Sequence, residues 1–442
     1  MQAFHYLRNR GLIYQSSQLI EEALKLITPQ QSIYLGVDPT AKGLHIGHLI
    51  ACRVLKQFYK SGIRSIALIG GATALIGDPS FKVKERDVLS FEAVQMNVAE
   101  IRKDIERVLE SSGDENLIFV NNYDWYKDMS MIQFLRDVGK NMRVQTMLMK
   151  DSVQRRINSE NSMSFAEFSY QCMQSYDYFH LNQKYGCMCQ IGGSDQWGNI
   201  TSGIDYVKQV SNQAVHGLTV QLLTNKHGQK FGKSEGNAIW INKSRTSNND
   251  YYQFFLRVED ADVVQLLRVL TDLPEATIDE IMMEHAKHPE KREAQQILAE
   301  ELFLSTRSAE DLQKAKRCAD VLYGTQEELK EDMIRDIMDE LPLEVLDATM
   351  MSGKSITDYL VTLNFADSKK AAKRLVQGGG VRLNGHVISQ PTYIVTNKDL
   401  IDSCLLPVSV GKKNRKFALV KLGVCFHVSN QDFERSNQQT SP

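Results

Sequence analysis

Apolar residues along the first half of this chain fall into two alternating kinds of run. Four short continuous stretches have the length and flanks of buried parallel strands: 32–37 (Ser-Ile-Tyr-Leu-Gly-Val), 66–69 (Ile-Ala-Leu-Ile), 117–120 (Leu-Ile-Phe-Val) and 188–191 (Met-Cys-Gln-Ile). Asp38-Pro39-Thr40 breaks the first, and Gly70-Gly71 ends the second. Between the runs the spacing becomes helical. Leu44, Leu49, Val54, Leu55 and Phe58 make one face of a helix from about His45 to Ser61. Ser164 and Glu167 form a capping box that starts another. Strands separated by helical crossovers predict a doubly wound α/β sheet.

After about Trp240 strand signals stop. Residues 250–270, 275–285 and 291–303 read as amphipathic helices, and the helical pattern continues to about Ile337. Residues 339–352 read as a connector. A third unit follows from Ser355, with a helix over 368–377, three glycines at 378–380, and a hairpin turn at Asn384-Gly385. The expected organisation is an α/β body over 1–225, interrupted by an insertion at about 120–164. A helical unit over 226–345, a small α+β unit over 355–425 and a polar tail over 426–442 complete it.

Composition narrows this little: 442 residues, 42% hydrophobic and 24% charged, describe a folded chain of several domains rather than a disordered or fibrous one. No apolar run approaches the roughly 20 residues that cross a bilayer, so no membrane association is expected. The start carries Arg8 and Arg10 but then Glu21 and Glu22, so neither a secretory leader nor a transit peptide is expected. The seven cysteines include no CxxC pair, which points to free thiols in a reducing, cytoplasmic setting. Charge is distributed unevenly: residues 354–421 hold 12 Lys+Arg against 4 Asp+Glu in a chain of net charge −2. A basic module on an acidic body is the asymmetry of a protein that grips a polyanion at one end, although a solvated basic face would look the same.

Candidate chemistry gathers at strand ends, where open parallel sheets bind ligands. In His45-Ile46-Gly47-His48 the two imidazoles lie at i and i+3 on the first turn of a helix, with Thr40 and Lys42 in the preceding turn. They are placed to donate to phosphate oxygens at a helix N-terminus. Capping or core histidines are the alternative. Gly36 and Gly47 leave room for a nucleotide. In Lys230-Phe231-Gly232-Lys233-Ser234 a glycine-flanked segment offers ammonium groups that can neutralise a triphosphate and then release it. Its alternative is a solvated turn. Tyr170, Gln174 and Asp177 lie at i, i+4 and i+7 on one helix face, a strip able to take an ammonium at one end and a hydroxyl at the other. Asp78, in Gly77-Asp78-Pro79, can add a second charge for that ammonium. In the run 190–199 (Gln-Ile-Gly-Gly-Ser-Asp-Gln-Trp-Gly-Asn), paired glycines admit a base or ribose and Asp195 can accept from ribose hydroxyls.

These segments together resemble the bacterial-type tyrosyl-tRNA synthetases, a family of class I aminoacyl-tRNA synthetases, from about Arg10 to about Val424. The resemblance implies a Rossmann-like catalytic domain, an α-helical anticodon-binding domain and a small ribosomal-protein-like RNA-binding domain. It further implies ATP as substrate with accompanying Mg2+ but no dedicated metal site, L-tyrosine and its tRNA as partners, and a homodimer. The insertion, with Phe134, Leu135, Met142 and Met147, is the candidate dimer interface.

Carried over by position, Tyr34 and Asp177 would bind the tyrosine hydroxyl; Asp78, Tyr170 and Gln174 its ammonium; and Gln190 would fix that shell. Thr40, His45 and His48 would contact ATP phosphates, while Gly36, Gly47, Gly192, Asp195 and Leu222 would seat the nucleoside. Asp38 and Gln196 would line the reacting carboxylate and α-phosphate. Lys230 and Lys233 would hold departing pyrophosphate, with Lys82 and Arg86 beside them. Phe81, Leu35 and Ala51 depart from the family pattern and are expected to tune ATP affinity. Tryptophanyl-tRNA synthetases, an inactive RNA-binding relative and a small-molecule nucleotidyltransferase are the competing readings. The phenol-binding pair, both histidines and the two RNA-sized additions argue against them in turn.

Overall fold

The computed structural model describes residues 2–80, 89–111, 114–158, 163–224, 231–234, 237–323, 337, 340, 343–346, 353–400, 405–411 and 416–422. The chain divides into two compact units, one of residues 1–246 with 255–306, the other of 247–254 with 307–442.

The first unit is built on a six-stranded sheet: β1 (Gln15–Ser16), β2 (Ser32–Val37), β3 (Arg64–Ile69), β4 (Leu117–Asn121), β5 (Cys187–Gly193) and β6 (His216–Val220), ordered β1-β6-β5-β2-β3-β4. All neighbours are parallel except the antiparallel edge pair β1–β6. The chain runs outward from β2 through β3 to β4, then returns to β5 and β6 on the other side. That reversal opens a crevice beyond the carboxyl ends of β2 and β5. All four predicted strands and the doubly wound order are present; β1 and β6 are additional. Tyr34, Ile66, Leu68, Tyr178, Leu181, Val207 and Val215 form one core cluster between sheet and helices. Cys187 and Cys189 share a face of β5 and are buried free thiols, as are Cys52, Cys172 and Cys318; Cys404 and Cys425 lie outside the described residues.

Several helices follow the sequence pattern closely. Ile46–Lys60 buries Leu49, Val54, Leu55 and Phe58. Phe165–Tyr185 starts with the predicted box, Glu167 N donating to Ser164 Oγ at 3.2 Å and Ser164 N to Glu167 Oε2 at 3.4 Å. Glu167 is also buried against Arg156 at 2.8 Å.

The single helix expected over 250–270 is a misreading: the chain forms Asn248–Leu256 and Asp260–Leu270. The break is stabilised from outside, because Arg292 donates to the carbonyls of Leu256 and Val258, and Gln295 to the Val258 carbonyl and the Asp260 carboxylate. The helices Asp260–Leu270, Glu275–His285 and Glu293–Thr306 fall within the first unit. Two buried arginines account for that. Arg10 donates to the carbonyls of Leu267, Arg268, Thr271 and Leu273, and Arg53, on the histidine helix, to Val269 and Thr271. They donate to carbonyls in and just after the last turn of Asp260–Leu270, where a helix leaves acceptors unpaired.

The second unit carries a five-stranded sheet of β9 (Leu343–Leu346), β10 (Val381–Leu383), β11 (His386–Val387), β12 (Leu405–Val410) and β13 (Lys416–Leu422), ordered β11-β10-β12-β13-β9. The connector expected over 339–352 contains β9, which pairs in parallel with β13, a partner some seventy positions away that local patterning cannot reveal. Asn384 and Gly385 adopt φ 42° and 84°, the left-handed turn that joins β10 to β11. The helix Lys369–Gln377 buries Ala372 and Val376 and exposes Lys369, Lys370, Lys373 and Arg374. Among the described residues no helix is long and apolar enough to cross a membrane.

Candidate active site

The crevice at the strand reversal is a cavity of about 370 Å³. Tyr34, Gly36, Asp38, Thr40, His45, Gly47 and His48 line it from β2 and the following helix. Asp78, Tyr170, Gln174 and Asp177 enter from the side, and Gln190, Gly192, Asp195, Gln196 and Leu222 from the ends of β5 and β6. The two departures Leu35 and Ala51 also line it. Lys82, Arg86, Phe81 and Lys230 lie outside the described residues. Lys233 begins β7 (Lys233–Ser234), which pairs antiparallel with β8 (Asn237–Ala238). Phe231 and Gly232 line the cavity with the histidines.

At one end the two imidazoles are held by backbone. His45 is the N-cap of Ile46–Lys60: its Nδ1 accepts from Gly47 N at 3.0 Å, and His48 Nδ1 accepts from His45 N at 3.2 Å. The rings stack with centroids 3.9 Å apart. With each Nδ1 accepting, hydrogen-bond partners assign the proton of each neutral ring to Nε2. Trp240 stands edge-on to His45 at 5.8 Å, and the Arg245 guanidinium lies 3.7 Å over the indole. The lysine segment is joined to this helix start through the backbone: Ile239 N donates to Gly232 O at 2.7 Å, Ile46 N to Ile239 O at 3.1 Å and Ile241 N to Leu44 O at 2.9 Å.

The other end is a buried polar network. Asp38 accepts from Tyr170 Oη and from Thr73 Oγ1, each at 2.8 Å. A side chain at Gly70 would put its Cβ 2.0 Å from Asp38 Oδ1, so only glycine fits there. Asn122 donates to Thr73 Oγ1 at 2.9 Å and to Asp177 Oδ2 at 3.1 Å, and Trp125 Nε1 donates to Asp177 Oδ1 at 2.9 Å. Burial pushes the Asp177 carboxyl up to about 7, against the opposing pull of those donors. Burial likewise raises the Tyr34 and Tyr170 phenols well above their ordinary value. Asp78 is held by Gln196 Nε2 at 2.7 Å and by Ser80 N at 3.1 Å.

Tyr34 Oη, Gln174 Oε1 and Gln190 Oε1 are buried, and among the described residues none has a hydrogen-bond partner. Buried polar atoms are normally paired, because an unmade bond costs about 1–3 kcal/mol. Three such atoms in one cavity describe a site shaped for a polar ligand.

Thr73, Asn122 and Trp125 belong to these networks and lie outside the motifs of the sequence. The signal for two of them was present, since Asn121-Asn122-Tyr123-Asp124-Trp125 closes β4 at its carboxyl end.

Residues 28–320 match the family model of tRNA synthetases class I (W and Y), and residues 356–401 match an S4 domain. The tyrosine–tRNA ligase of Roseiflexus castenholzii is 40% identical over 420 residues, covering 94% of this chain and 98% of that one. The tyrosine–tRNA ligase of Protochlamydia amoebophila is 41% identical over 413 residues, covering 92% and 96%. A solved C-terminally truncated mitochondrial tyrosyl-tRNA synthetase from Coccidioides posadasii has a TM-score of 0.62 at 33% identity, covering 71% of this chain and 90% of that one. Matched from the strand reversal to the small C-terminal unit, the chain belongs to the tyrosine–tRNA ligases among the class I tRNA synthetases.

Proposed function

We propose that this protein activates L-tyrosine with ATP and transfers it to the 3′ end of its tRNA. The observation that carries the reading is the set of buried atoms Tyr34 Oη, Gln174 Oε1 and Gln190 Oε1, without a partner among the described residues, around a cavity floored by Asp177. A tyrosine with its hydroxyl between Tyr34 and Asp177 and its ammonium toward Asp78, Tyr170 and Gln174 supplies hydrogen-bond partners to these atoms. Gln190, paired in register with Tyr34 across β2 and β5, supports the same shell.

The substrate carboxylate then faces Asp38 and Gln196, and one of its oxygens attacks the α-phosphorus of ATP. A carboxyl–phosphorus bond forms, the bond between α-phosphorus and its β-bridging oxygen breaks, and pyrophosphate leaves with the electron pair. No protein nucleophile is required, so rate comes from positioning and from stabilising charge as it develops. Thr40, His45 and His48 present donors to the phosphates. Lys230 and Lys233, with Lys82 and Arg86, supply cationic charge to pyrophosphate. Gly36, Gly47, Gly192, Asp195 and Leu222 receive the nucleoside.

Magnesium enters in this reading as a companion of ATP, whose phosphates would hold it. The fit is to phosphate rather than to a cation, because the groups at the histidine end are donors.

The exposed Lys369, Lys370, Lys373 and Arg374 support contact of the S4 unit with tRNA phosphates. A homodimer through the insertion is part of the proposal. Its surface is carried by Met131, Ile132, Leu135, Val144 and Met149, which are exposed, whereas Met147 turns inward and Phe134 and Met142 are half-buried. A reducing, cytoplasmic location fits the buried free thiols. The test is charging of tRNA with labelled tyrosine: ester-linked label at the 3′ adenosine is expected, and its absence with active ATP turnover would overturn the transfer step.

A further inference from the structure

The helix Phe91–Leu109 crosses from β3 to β4 and contributes no residue to the sequence motifs. Its buried face is mostly apolar, with Val94, Ile101, Ile105, Val108 and Leu109, but it also carries Asn97 and Asp104. Polar groups on a core face are costly unless they are bonded. Seven residues apart, these two lie along one face of the helix, and both reach the same loop. Asn97 Nδ2 donates to Pro39 O at 2.9 Å, and Asp104 Oδ2 accepts from Leu44 N at 2.8 Å. Pro39 and Leu44 bracket the segment between β2 and the histidine helix, which holds Thr40 and leads directly into His45.

One further contact ties the lysine side of the cavity to the same helix. Glu100 Oε2 accepts from Asn242 Nδ2 at 3.2 Å, one residue beyond the Ile241 N to Leu44 O bond of 2.9 Å. Gly43 is at φ +124°, and a Cβ there would lie 2.8 Å from Asp104 Oδ2. The carboxylate therefore occupies the space that any side chain at 43 would need. A negative charge beside the start of Ile46–Lys60 is also favoured by the helix dipole.

We infer that Asp104, assisted by Asn97, is a positioning residue for the phosphate-binding loop. It fixes Leu44, and through Leu44 the N-cap geometry that aims His45 and His48, while touching neither ATP nor tyrosine. The inference rests on the tyrosine-activation reading and adds to it a residue outside every motif of the sequence.

The experiment compares Asp104→Ala with Asp104→Asn in tyrosine-dependent exchange of pyrophosphate into ATP, with tyrosine affinity measured separately by equilibrium binding. The amide keeps an acceptor for Leu44 N–H; the methyl does not. Asp104→Ala is expected to lower kcat at least tenfold with tyrosine Kd within twofold of wild type, and Asp104→Asn to stay within threefold. In a His45→Ala background the same change to Ala should cost less than threefold, since the group it aims is gone. Should Asp104→Ala not fold, Asn97→Ala removes the Pro39 bond alone, and a loss of threefold or more in kcat with unchanged tyrosine Kd is expected. A wild-type-like kcat in whichever variant folds, or an undiminished loss in the His45→Ala background, would overturn the inference. A wild type without exchange would remove the activation reading and this inference with it.

Discussion

The indole N–H of Trp125 donates to Asp177 Oδ1 at 2.9 Å, tying the end of β4 to the floor of the cavity. That bond and the one from Asn122 hold a carboxylate in place where burial disfavours its charge. Because the folded-state value, about 7, lies above the ordinary 3.8, the carboxyl favours the fold fully below about pH 4. The contribution is lost as pH rises through about 7. The unliganded Asp177→Asn variant should therefore melt above wild type at pH 8, with the gap closing toward pH 5. Thermal melts across that range check it, and a gap that widens on acidification would contradict the assignment.

Selectivity has its own signature at Tyr34, whose hydroxyl is buried without a partner among the described residues. Tyr34→Phe should leave stability unchanged or slightly higher, because it removes an unpaired polar atom. It should reduce the preference for tyrosine over phenylalanine by about tenfold, the value of one hydrogen bond of about 1 kcal/mol or slightly more. Competition kinetics with the two amino acids measures this directly.

Loss of the His45 ring separates binding from chemistry. His45→Ala removes an N-cap, at about 1 kcal/mol of stability, and the ring proposed as a donor to the phosphates. Adenylate formation should fall about 100-fold or more while tyrosine Kd stays within twofold. Pre-steady-state adenylate formation alongside equilibrium binding tests the split.

Packing between the histidine helix and the helices beyond Asp260 depends on Arg53. Its guanidinium donates to Thr271 O and Asp272 Oδ1, both at 2.6 Å, and to Val269 O at 3.2 Å. Arg53→Met keeps most of the volume but leaves the Val269 carbonyl without its donor and the Thr271 carbonyl to Arg10 alone, so a loss of about 1–3 kcal/mol is expected in denaturant unfolding.

How much of this was visible in the sequence follows from the range of each interaction. Apolar runs placed β2 to β5, and helical spacing placed Ile46–Lys60, because both signals are local. Tyr170, Gln174 and Asp177 were legible as one strip since helical geometry alone aligns them. β9 was missed because its pairing partner is distant, β6 because His216-Gly217-Leu218-Thr219-Val220 lacks a continuous apolar run, and β1 because it is two residues long. The break at Val258 was missed because Arg292 and Gln295 maintain it from another helix. Asn97 and Asp104 were invisible for the same reason: on the chain they interrupt an apolar face, and only folding shows that Pro39 and Leu44 complete their bonds. Trp125 and Asn122 stood at a strand end, where closer reading would have found them.

The central claim is tested most directly by pyrophosphate exchange into ATP with tyrosine, phenylalanine or tryptophan supplied in turn. Exchange that requires tyrosine, is at least 100-fold weaker with the other two, and falls with His45→Ala is the result expected. Exchange that ignores which amino acid is present, or that proceeds equally well with tryptophan, would contradict the account.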